Sequence, residues 1–404
     1  MSTNKSPRTE DEMGDRISGL PDPLLLHILS FLQTKDAVST SRVSKRWRHL
    51  WRSLPKLHFD DRSFPSVEIF VQFVDAALLL VRLDSVQMFV LNCERFSVPQ
   101  VKANVWVNAL ANYKLTYLEL HFRRQVIRLP SSFFICNTVS ILKLTGFGVV
   151  NLSTVDLPSL KVLHLKDVKF SNSECMSRLL SNCLHLEELV LKGSLISDEV
   201  SFQDRLSFYS WAKHIARFEQ LLFADVPAFI FPMKVFSNVQ FMRLREMIWY
   251  TRDDVPTFHN LIHLQIDNFS YIDWCMVRLL QGFPKLQSLI IYKYGDYDLG
   301  DKCLMNISTP DVPPCVSSHL KEFAYFGFKG RKLEFDILEY IMKNATVLRT
   351  VIVGRADTCE RKDFEMLKQL SSYPRCSANC RLLYDILKKS IEEARRNCLT
   401  IRKL

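Results

Sequence analysis

Between residue 80 and residue 355 the chain repeats one pattern of apolar, two others, apolar, one other, apolar. The copies are Val86/Phe89/Leu91, Leu115/Leu118/Leu120, Val139/Leu142/Leu144, Leu160/Leu163/Leu165, Leu186/Leu189/Leu191, Phe218/Leu221/Phe223, Val239/Met242/Leu244, Leu261/Leu264/Ile266, Leu286/Leu289/Ile291, Leu320/Phe323/Tyr325 and Leu348/Val351/Val353. The last two apolar positions of each triplet alternate with polar ones, as half-buried β-strands require. Each triplet therefore predicts a short strand.

A second apolar pattern, with helical spacing, precedes three of these triplets. The sets at relative positions +0, +3, +4 and +7 are Met176/Leu179/Leu180/Cys183, Met276/Leu279/Leu280/Phe283 and Leu338/Ile341/Met342/Ala345. In each case the next triplet begins three residues later, so the predicted unit is helix, short turn, strand. Phe208, Trp211, Ala212 and Ile215 fit the same spacing numerically, although that stretch is equally compatible with an extended segment.

The repeat period decides between two α/β architectures. From Leu118 to Val351 the middle positions are nine steps apart, averaging about 26 residues, and leucine-rich repeats have periods of roughly 20 to 29 residues. A doubly wound domain fits less well, because its units are longer and no glycine-rich turn follows any strand. We therefore predict an α/β fold with an irregular leucine-rich-repeat solenoid, its parallel strands joined by helical or loop returns.

Before the repeats, residues 20–32 (LPDPLLLHILSFL) predict a short helix. Asp22 is placed to cap the N-terminus through its carboxylate, and Pro23 occupies the first helical position, where a missing N–H costs nothing. The apolar side chains of its core-facing stripe are Leu25, Ile28, Leu29 and Leu32.

Two further short helices are predicted after this one. Thr34 is placed to cap a helix that runs to Ser39, and the third helix carries Val43, Trp47, Leu50 and Trp51 on one face. Leu24, Leu26 and Phe31 are left over, which is more apolar surface than so small a core can hide. This surplus either packs on the rest of the chain or forms an interface with a partner.

Two segments of this region resemble the plant F-box. They are residues 15–32 (DRISGLPDPLLLHILSFL) and residues 41–51 (SRVSKRWRHLW), and they occur in the order and at the spacing of that family. The resemblance implies a three-helix F-box that docks on a Skp-type adaptor and, through it, a cullin-based ubiquitin ligase. The positions that it places at or beneath the adaptor contact are Leu20, Pro21, Leu25, Ile28, Leu29, Val43 and Trp47.

The rest of the chain extends this resemblance. The repeats, beginning with LHFDD at residues 57–61, are similar to the degenerate leucine-rich repeats that follow plant F-boxes. The motifs that resemble the C-terminal FBD module of such proteins are VSSHLKEF (316–323), FGFKG (326–330), NATVL (344–348), LKQL (367–370) and PRCS (374–377). The predicted organisation is a disordered tail (1–13), an F-box (14–60), the solenoid (61–315), the FBD module (316–385) and a basic C-terminal segment (386–404).

Composition narrows the class of protein further. The 404 residues are 48% hydrophobic and 24% charged, which is typical of a folded chain that forms several domains or an elongated array. The 11 cysteines include no C-x-x-C pair, and the polar N-terminus has no apolar signal core, so we predict a reducing compartment, the cytoplasm or nucleus. No apolar run approaches the roughly 18 residues of a membrane span.

The net charge of +10 permits several partners. Residues 42–56 contain basic side chains and no acid, and a second basic group lies at residues 395–403. The simplest interpretation of these basic groups is that they form a solvent-exposed face, and the next is that they dock onto a partly acidic adaptor. Nucleic-acid binding has least support, because no nucleic-acid motif accompanies the charge.

No residue constellation predicts catalysis, a metal or a cofactor. His259 and His263 are four apart, but Asn260 replaces the glutamate of a zinc hydrolase helix, and the pair flanks a predicted strand. Cys376 and Cys380 have no nearby histidine to complete a metal site. The lone cysteines on apolar faces, which are interpreted as small core residues, are Cys93, Cys183 and Cys275.

The function that the resemblance implies is that of a non-catalytic substrate-recognition subunit of an SCF-type (Skp-cullin-F-box) ubiquitin ligase. Such a chain links a target protein to the ligase, and nothing in this sequence names the target. The alternative is a leucine-rich-repeat scaffold that binds a protein or a nucleic acid and has no role in a ligase.

Overall fold

A computed structural model gives the fold. It describes residues 17, 19–82, 84–110, 113–122, 127–129, 134–149, 152, 154–170, 172–193, 218–227, 233–245, 256–267, 276–293, 311–356 and 363–385. The chain divides into two compact units, residues 1–159 and residues 160–404. No helix in the described ranges is long and apolar enough to cross a membrane. The predicted terminal segments 1–13 and 386–404 lie outside these ranges.

The first unit combines short helices with parallel strands. Its helices are α1 (Asp22–Leu29), α2 (Thr34–Ser39), α3 (Val67–Leu80) and α4 (Gln100–Leu110). Its strands are β1 (Lys56–Asp60), β2 (Met88–Cys93), β3 (Tyr117–Phe122), β4 (Ile127–Leu129), β5 (Ile141–Thr145) and β6 (Phe147–Val149). Strands β1, β2, β3 and β5 pair in that order, all in parallel, and β4 pairs with β6.

The second unit repeats the same arrangement. Its strands are β7 (Val162–Lys166), β8 (Lys169–Phe170), β9 (Glu188–Lys192), β10 (Phe223–Pro227), β11 (Phe241–Arg245), β12 (His263–Asp267), β13 (Ser288–Tyr292), β14 (Glu322–Phe328), β15 (Thr350–Arg355) and β16 (Arg381–Asp385). Its helices are α5 (Ser173–Ser181), α6 (Met276–Gln281), α7 (Pro314–Ser318), α8 (Lys332–Asn344) and α9 (Asp363–Ser371). From β7 and β9 onward the strands pair in chain order and in parallel. Sequential parallel pairing with a return after each strand is the arrangement of a solenoid.

The triplets form the hydrophobic core, as the sequence predicts, with one exception. Every predicted triplet other than Phe218/Leu221/Phe223 has all three side chains buried. In β10 the residue that pairs with Leu189 and Met242 is Ala224. The buried triplet is therefore Leu221/Ala224/Val226, three residues later than predicted, because a small alanine takes the position where the pattern expects a large apolar residue.

The helical returns also agree with the sequence. The stripes that start at Met176, Met276 and Leu338 fall on α5, α6 and α8. The stripe from Phe208 to Ile215 lies outside the described residues. Five of the described strands have no predicted triplet: β4, β6, β8, the first strand β1, in which Leu57 and Phe59 are buried, and the last strand β16.

Candidate functional site

Helix α1 begins at Asp22, but its N-terminus is not capped as the sequence suggests. Pro21 occupies the capping position, no side chain caps the helix, and the Asp22 carboxylate accepts a hydrogen bond of 3.0 Å from Arg46 Nε instead. Arg46 Nη2 also donates to the carbonyl of Leu20 at 2.6 Å. The capping prediction is wrong because this guanidinium takes the carboxylate and ties the start of α1 to the third segment.

The third segment of the predicted F-box is a series of tight turns rather than one continuous α-helix. It contains 3-10 turns at Thr40–Arg42 and Leu50–Ser53, and residues 45–49 form turns between them. Val43 is 64% exposed while Trp47 is buried, so the prediction that they share one face is wrong. The Thr40 hydroxyl donates back to the carbonyl of Ala37 at 2.6 Å, a local bond that competes with helix continuation.

Thr34 joins the F-box to the first strand instead of capping α2. Its buried hydroxyl accepts a hydrogen bond of 2.7 Å from the backbone N–H of His58, and Gln33 occupies the capping position. The Ser63 hydroxyl donates to Gln33 Oε1 at 3.0 Å, and Lys35 Nζ donates to the Ser63 carbonyl. These bonds fix the helical segment against β1 and the turn that follows it.

Helix α1 has two apolar faces, and only one of them is buried. Leu25 and Leu29 are almost completely buried in the small core. We call the exposed apolar side chains of α1 and of the turn that follows it the exposed stripe; they are Leu24 (50% exposed) and Ile28 (43%) on the helix, and Phe31 (74%) and Leu32 in the turn. The alternative that the surplus apolar surface packs on the rest of the chain is therefore wrong for these side chains.

The seven residues singled out from the sequence fall into two groups. Leu25, Leu29 and Trp47 are buried, so they support the fold from beneath. Pro21, Ile28 and Val43 are exposed, and Leu20 is half-buried. Whether the exposed group touches an adaptor stays a prediction.

Sequence reasoning left four apolar side chains out of the site. Leu24, Phe31 and Leu32 lie on the exposed stripe, and Ile17 is also exposed. The signal is visible in the sequence for Leu24 and Phe31, because neither belongs to the predicted core-facing stripe. Leu32 belongs to the predicted stripe, but it follows the last residue of α1 and is partly exposed.

Basic side chains follow α1 and α2 in the chain. Arg42, Lys45, Arg46 and Arg48 are exposed. The pair between Arg46 and Asp22 is largely solvent-exposed and so contributes little to stability. An apolar surface with exposed cations beside it in the chain suits a partner that is apolar at its centre and acidic at its rim.

The histidine and cysteine candidates have structural environments. His263 is half-buried and stacks on Phe241 with ring centroids 4.8 Å apart, whereas His259 is exposed in the preceding turn. Cys93 and Cys183 are buried, as predicted, and burial raises the pKa of Cys183 to about 12. Cys376 is exposed, Cys380 is buried, and Cys275 lies outside the described residues. Within the described ranges, no three His, Cys, Asp or Glu side chains are grouped so as to hold a metal ion.

Comparison with known proteins places these elements in families. Models of the F-box domain, of FBD, and of the "FBD-associated F-box protein At5g56370, LRR repeats" match residues 17–59, 310–353 and 103–228. The F-box/FBD/LRR-repeat protein At4g26340 of Arabidopsis thaliana is 30% identical over 426 residues, covering 92% of this chain and 100% of that protein. The FBD-associated F-box protein At4g10400 of the same plant is 30% identical over 415 residues, covering 91% of this chain and 99% of that protein.

The helical segment, the parallel repeats and the C-terminal module together define an F-box protein with a repeat domain. The chain belongs to the plant F-box/FBD/LRR-repeat family. F-box domains bind Skp-type adaptors, and F-box proteins generally act as substrate receptors of SCF ubiquitin ligases. Proteins that combine an F-box with leucine-rich repeats are typically non-catalytic adaptors.

Proposed function

We propose that this chain is the substrate-recognition subunit of an SCF-type ubiquitin ligase. Its F-box docks on a Skp-type adaptor and through it on a cullin, and its repeats hold a target protein for ubiquitination. The observation that carries the proposal is the exposed stripe of α1, an apolar surface on a segment whose own core is already filled by Leu25, Leu29 and Trp47. A small domain keeps such a surface when a partner covers it.

The energetics of docking follow from the exposed side chains. Burying an apolar side chain that is half exposed contributes on the order of 1 kcal/mol. Leu24, Ile28, Phe31 and Val43 together therefore provide the apolar centre of an interface, and Lys45 and Arg48 add charge at its rim. The buried residues Leu29 and Trp47 act by holding this surface in shape.

In this role the chain makes and breaks no bond. It raises the effective concentration of target lysines near a ubiquitin-charged enzyme, so it accelerates transfer by proximity. We also propose the cytoplasm or nucleus as its location, since free cysteines such as Cys93, Cys183 and Cys315 suit a reducing compartment.

The test uses exposed residues, because a change at Leu29 or Trp47 would unfold the F-box. The double variant Ile28→Asp with Val43→Asp should lose at least tenfold in adaptor affinity, since both new carboxylates would have to be desolvated in the interface. A quantitative pull-down with purified Skp-type adaptor measures the loss. Thermal unfolding should show that the variant keeps the stability of the unchanged chain.

The matched control is Leu79→Asp, which places the same charge on an exposed leucine of α3 outside the F-box. It should bind the adaptor as the unchanged chain does. Retention of normal adaptor binding by the double variant would contradict the proposal and favour a repeat scaffold without a ligase role.

A further inference from the structure

The last four strands carry an apolar row on the outer face of the sheet, meaning the side chains that alternate with the buried triplets. Its members, which are register partners on β13, β14, β15 and β16, are Ile290, Ala324, Ile352 and Leu383. At the corresponding positions of β10, β11 and β12 the outer face carries Asp225, Arg243 and Gln265. The outer face thus changes from polar to apolar between β12 and β13.

From Ala324 onward, the exposure of this row increases toward the end of the chain. Ala324 is buried, Ile290 and Ile352 are half-buried, and Leu383 is 51% exposed. Beside the row, Tyr292 and Phe326 stack with ring centroids 4.7 Å apart. Ile352 and Leu383 are therefore the part of the row that a partner can reach.

A polar cleft of about 850 Å³ lies beside this part of the row, since its lining ends two positions before the row on β15 and on β16. It lies where β15 and β16 begin and is lined by residues that include Arg349, Thr350, Asn379 and Arg381. The nine lining residues include two arginines and no acid, and neither guanidinium has a hydrogen-bond or ion-pair partner in the described part of the chain. The cleft therefore favours a negatively charged group.

Backbone bonds hold the walls of this cleft in place. The backbone N–H of Arg381 donates to the Arg349 carbonyl at 2.9 Å, and that of Cys376 donates to the Met342 carbonyl at 3.0 Å. Arg375 Nη1 donates to the Cys380 carbonyl at 3.1 Å. The nearest acid in the register is Glu322, which is exposed on β14 opposite Thr350 and outside the lining.

The cleft and the apolar row lie two residues apart along the same strand. Arg381 and Leu383 are two residues apart on one strand, so their side chains leave the same face about 6.6 Å apart. An extended peptide presents its side chains i and i+2 with the same spacing. Arginine also binds carboxylates with a planar pair of donors, which gives such a contact direction as well as charge.

We propose that the cleft and the exposed end of the apolar row together bind a segment of the target protein. The segment is extended, with an acidic residue facing Arg349 and Arg381 and an apolar residue two positions away facing Ile352 and Leu383. The assignment of this ligand as the ubiquitination target rests on the proposed function. A nucleic acid would use the arginines but not the apolar row, so the peptide fits both observations.

The test presents the full-length chain, co-expressed with a Skp-type adaptor, with three fluorescent pools of short peptides of otherwise random sequence. One pool fixes Asp and Leu two positions apart, the second Lys and Leu, and the third Asp and Ser. We expect the Asp/Leu pool to be retained at least tenfold better than the others. Arg381→Glu should remove the preference for the Asp/Leu pool over the Lys/Leu pool, because the new carboxylate offsets Arg349, and Leu383→Ser should remove the difference between the Leu and Ser pools.

Two control variants at exposed positions outside the cleft should leave the ranking unchanged: Lys343→Glu on α8 and Leu79→Ser on α3. Equal retention of the three pools, or an unchanged ranking in both cleft variants, would overturn the inference. Stronger retention of labelled single-stranded RNA than of any peptide pool would overturn it in favour of a nucleic acid.

The same preparations separate this inference from the proposed function. The double variant Ile28→Asp with Val43→Asp should lose the adaptor and keep the peptide ranking, because it leaves the C-terminal module unchanged. If the unchanged chain ranks the peptides as expected but binds no adaptor, the proposed ligase role fails and the peptide site stands.

Discussion

At the scale of single residues, the environment of His263 couples the repeats to pH. Its ring lies on β12, half-buried and stacked on Phe241. Burial lowers the pKa of His263, and the nearby Glu322 carboxylate opposes that shift. The folded chain therefore favours the neutral imidazole.

This environment predicts a specific loss of stability in acid. Because the pKa of His263 is lower in the folded chain than its ordinary value of about 6.5, the unfolded chain binds more protons as the pH falls below that value. The free energy of unfolding should therefore fall through this window. His263→Phe preserves the stacking and removes the titration, so urea unfolding at neutral and mildly acidic pH should show a smaller difference in this variant.

The comparison variant is His259→Phe, which alters an exposed histidine four residues away. Its pH dependence should match that of the unchanged chain. If His263→Phe and His259→Phe show the same pH dependence, the burial of His263 does not control stability in acid.

At the scale of elements, the bulge in β14 shows how one residue fits two neighbouring strands together. The pairing of β14 with β15 shifts register between Phe326 and Phe328, and Gly327 between them has a φ of +85°. Before the bulge, the backbone N–H of Lys293 donates to the Phe326 carbonyl at 2.9 Å. A Cβ on Gly327 would lie 2.1 Å from the Lys293 carbonyl oxygen.

Gly327→Ala should therefore destabilise the C-terminal unit by roughly 2 kcal/mol or more, measured by urea unfolding. The reason is twofold, since alanine disfavours a positive φ and its Cβ overlaps backbone. Gly327→Asn separates the two causes, because asparagine tolerates the left-handed conformation but has the same Cβ. A stable Asn variant would show that the overlap with Lys293 is relieved and that conformation alone matters.

The elements also show what the sequence could and could not predict. Apolar residues spaced two and three apart predict the strands and their register directly, because burial of one face of the sheet requires that spacing. The pattern failed at Ala224, where a small residue fills a core position, and at β16, where the polar Asn379 stands three residues before Leu382. The bonds of Asp22 and Thr34 depend on distant partners, which local spacing does not encode.

The sequence predicts residues of the candidate site, but it does not predict which of them are exposed. Helical periodicity found Leu25 and Leu29 together with Ile28, yet only the packing of α1 separates the buried pair from the exposed residue. The arginine cleft had no sequence signal, since Arg349 and Arg381 are 32 residues apart and meet only through the pairing of β15 with β16.

At the scale of the whole molecule, the exposed stripe predicts that the chain depends on its partner for solubility. Expressed alone, the chain displays Leu24, Ile28 and Phe31 to solvent and should aggregate, whereas co-expressed adaptor should raise the soluble, monodisperse yield several-fold. Size-exclusion chromatography of matched expressions measures both quantities.

A variant carrying Leu24→Ser, Ile28→Ser and Phe31→Ser provides the control. It should be more soluble than the unchanged chain in the absence of adaptor and should gain nothing when adaptor is present. Full solubility of the unchanged chain by itself would contradict the expected dependence.

The alternation of inward and outward side chains along each strand also bears on how the family diverges. Substituting Ile352 or Leu383 alters what the sheet presents to a partner, while the neighbouring Val351 and Val353 keep the core filled. Selection can therefore change the surface of such a sheet one strand at a time at little cost in folding. This chain and the two relatives compared above are 30% identical along almost their whole length. The separation of core positions from surface positions on each strand permits that degree of divergence.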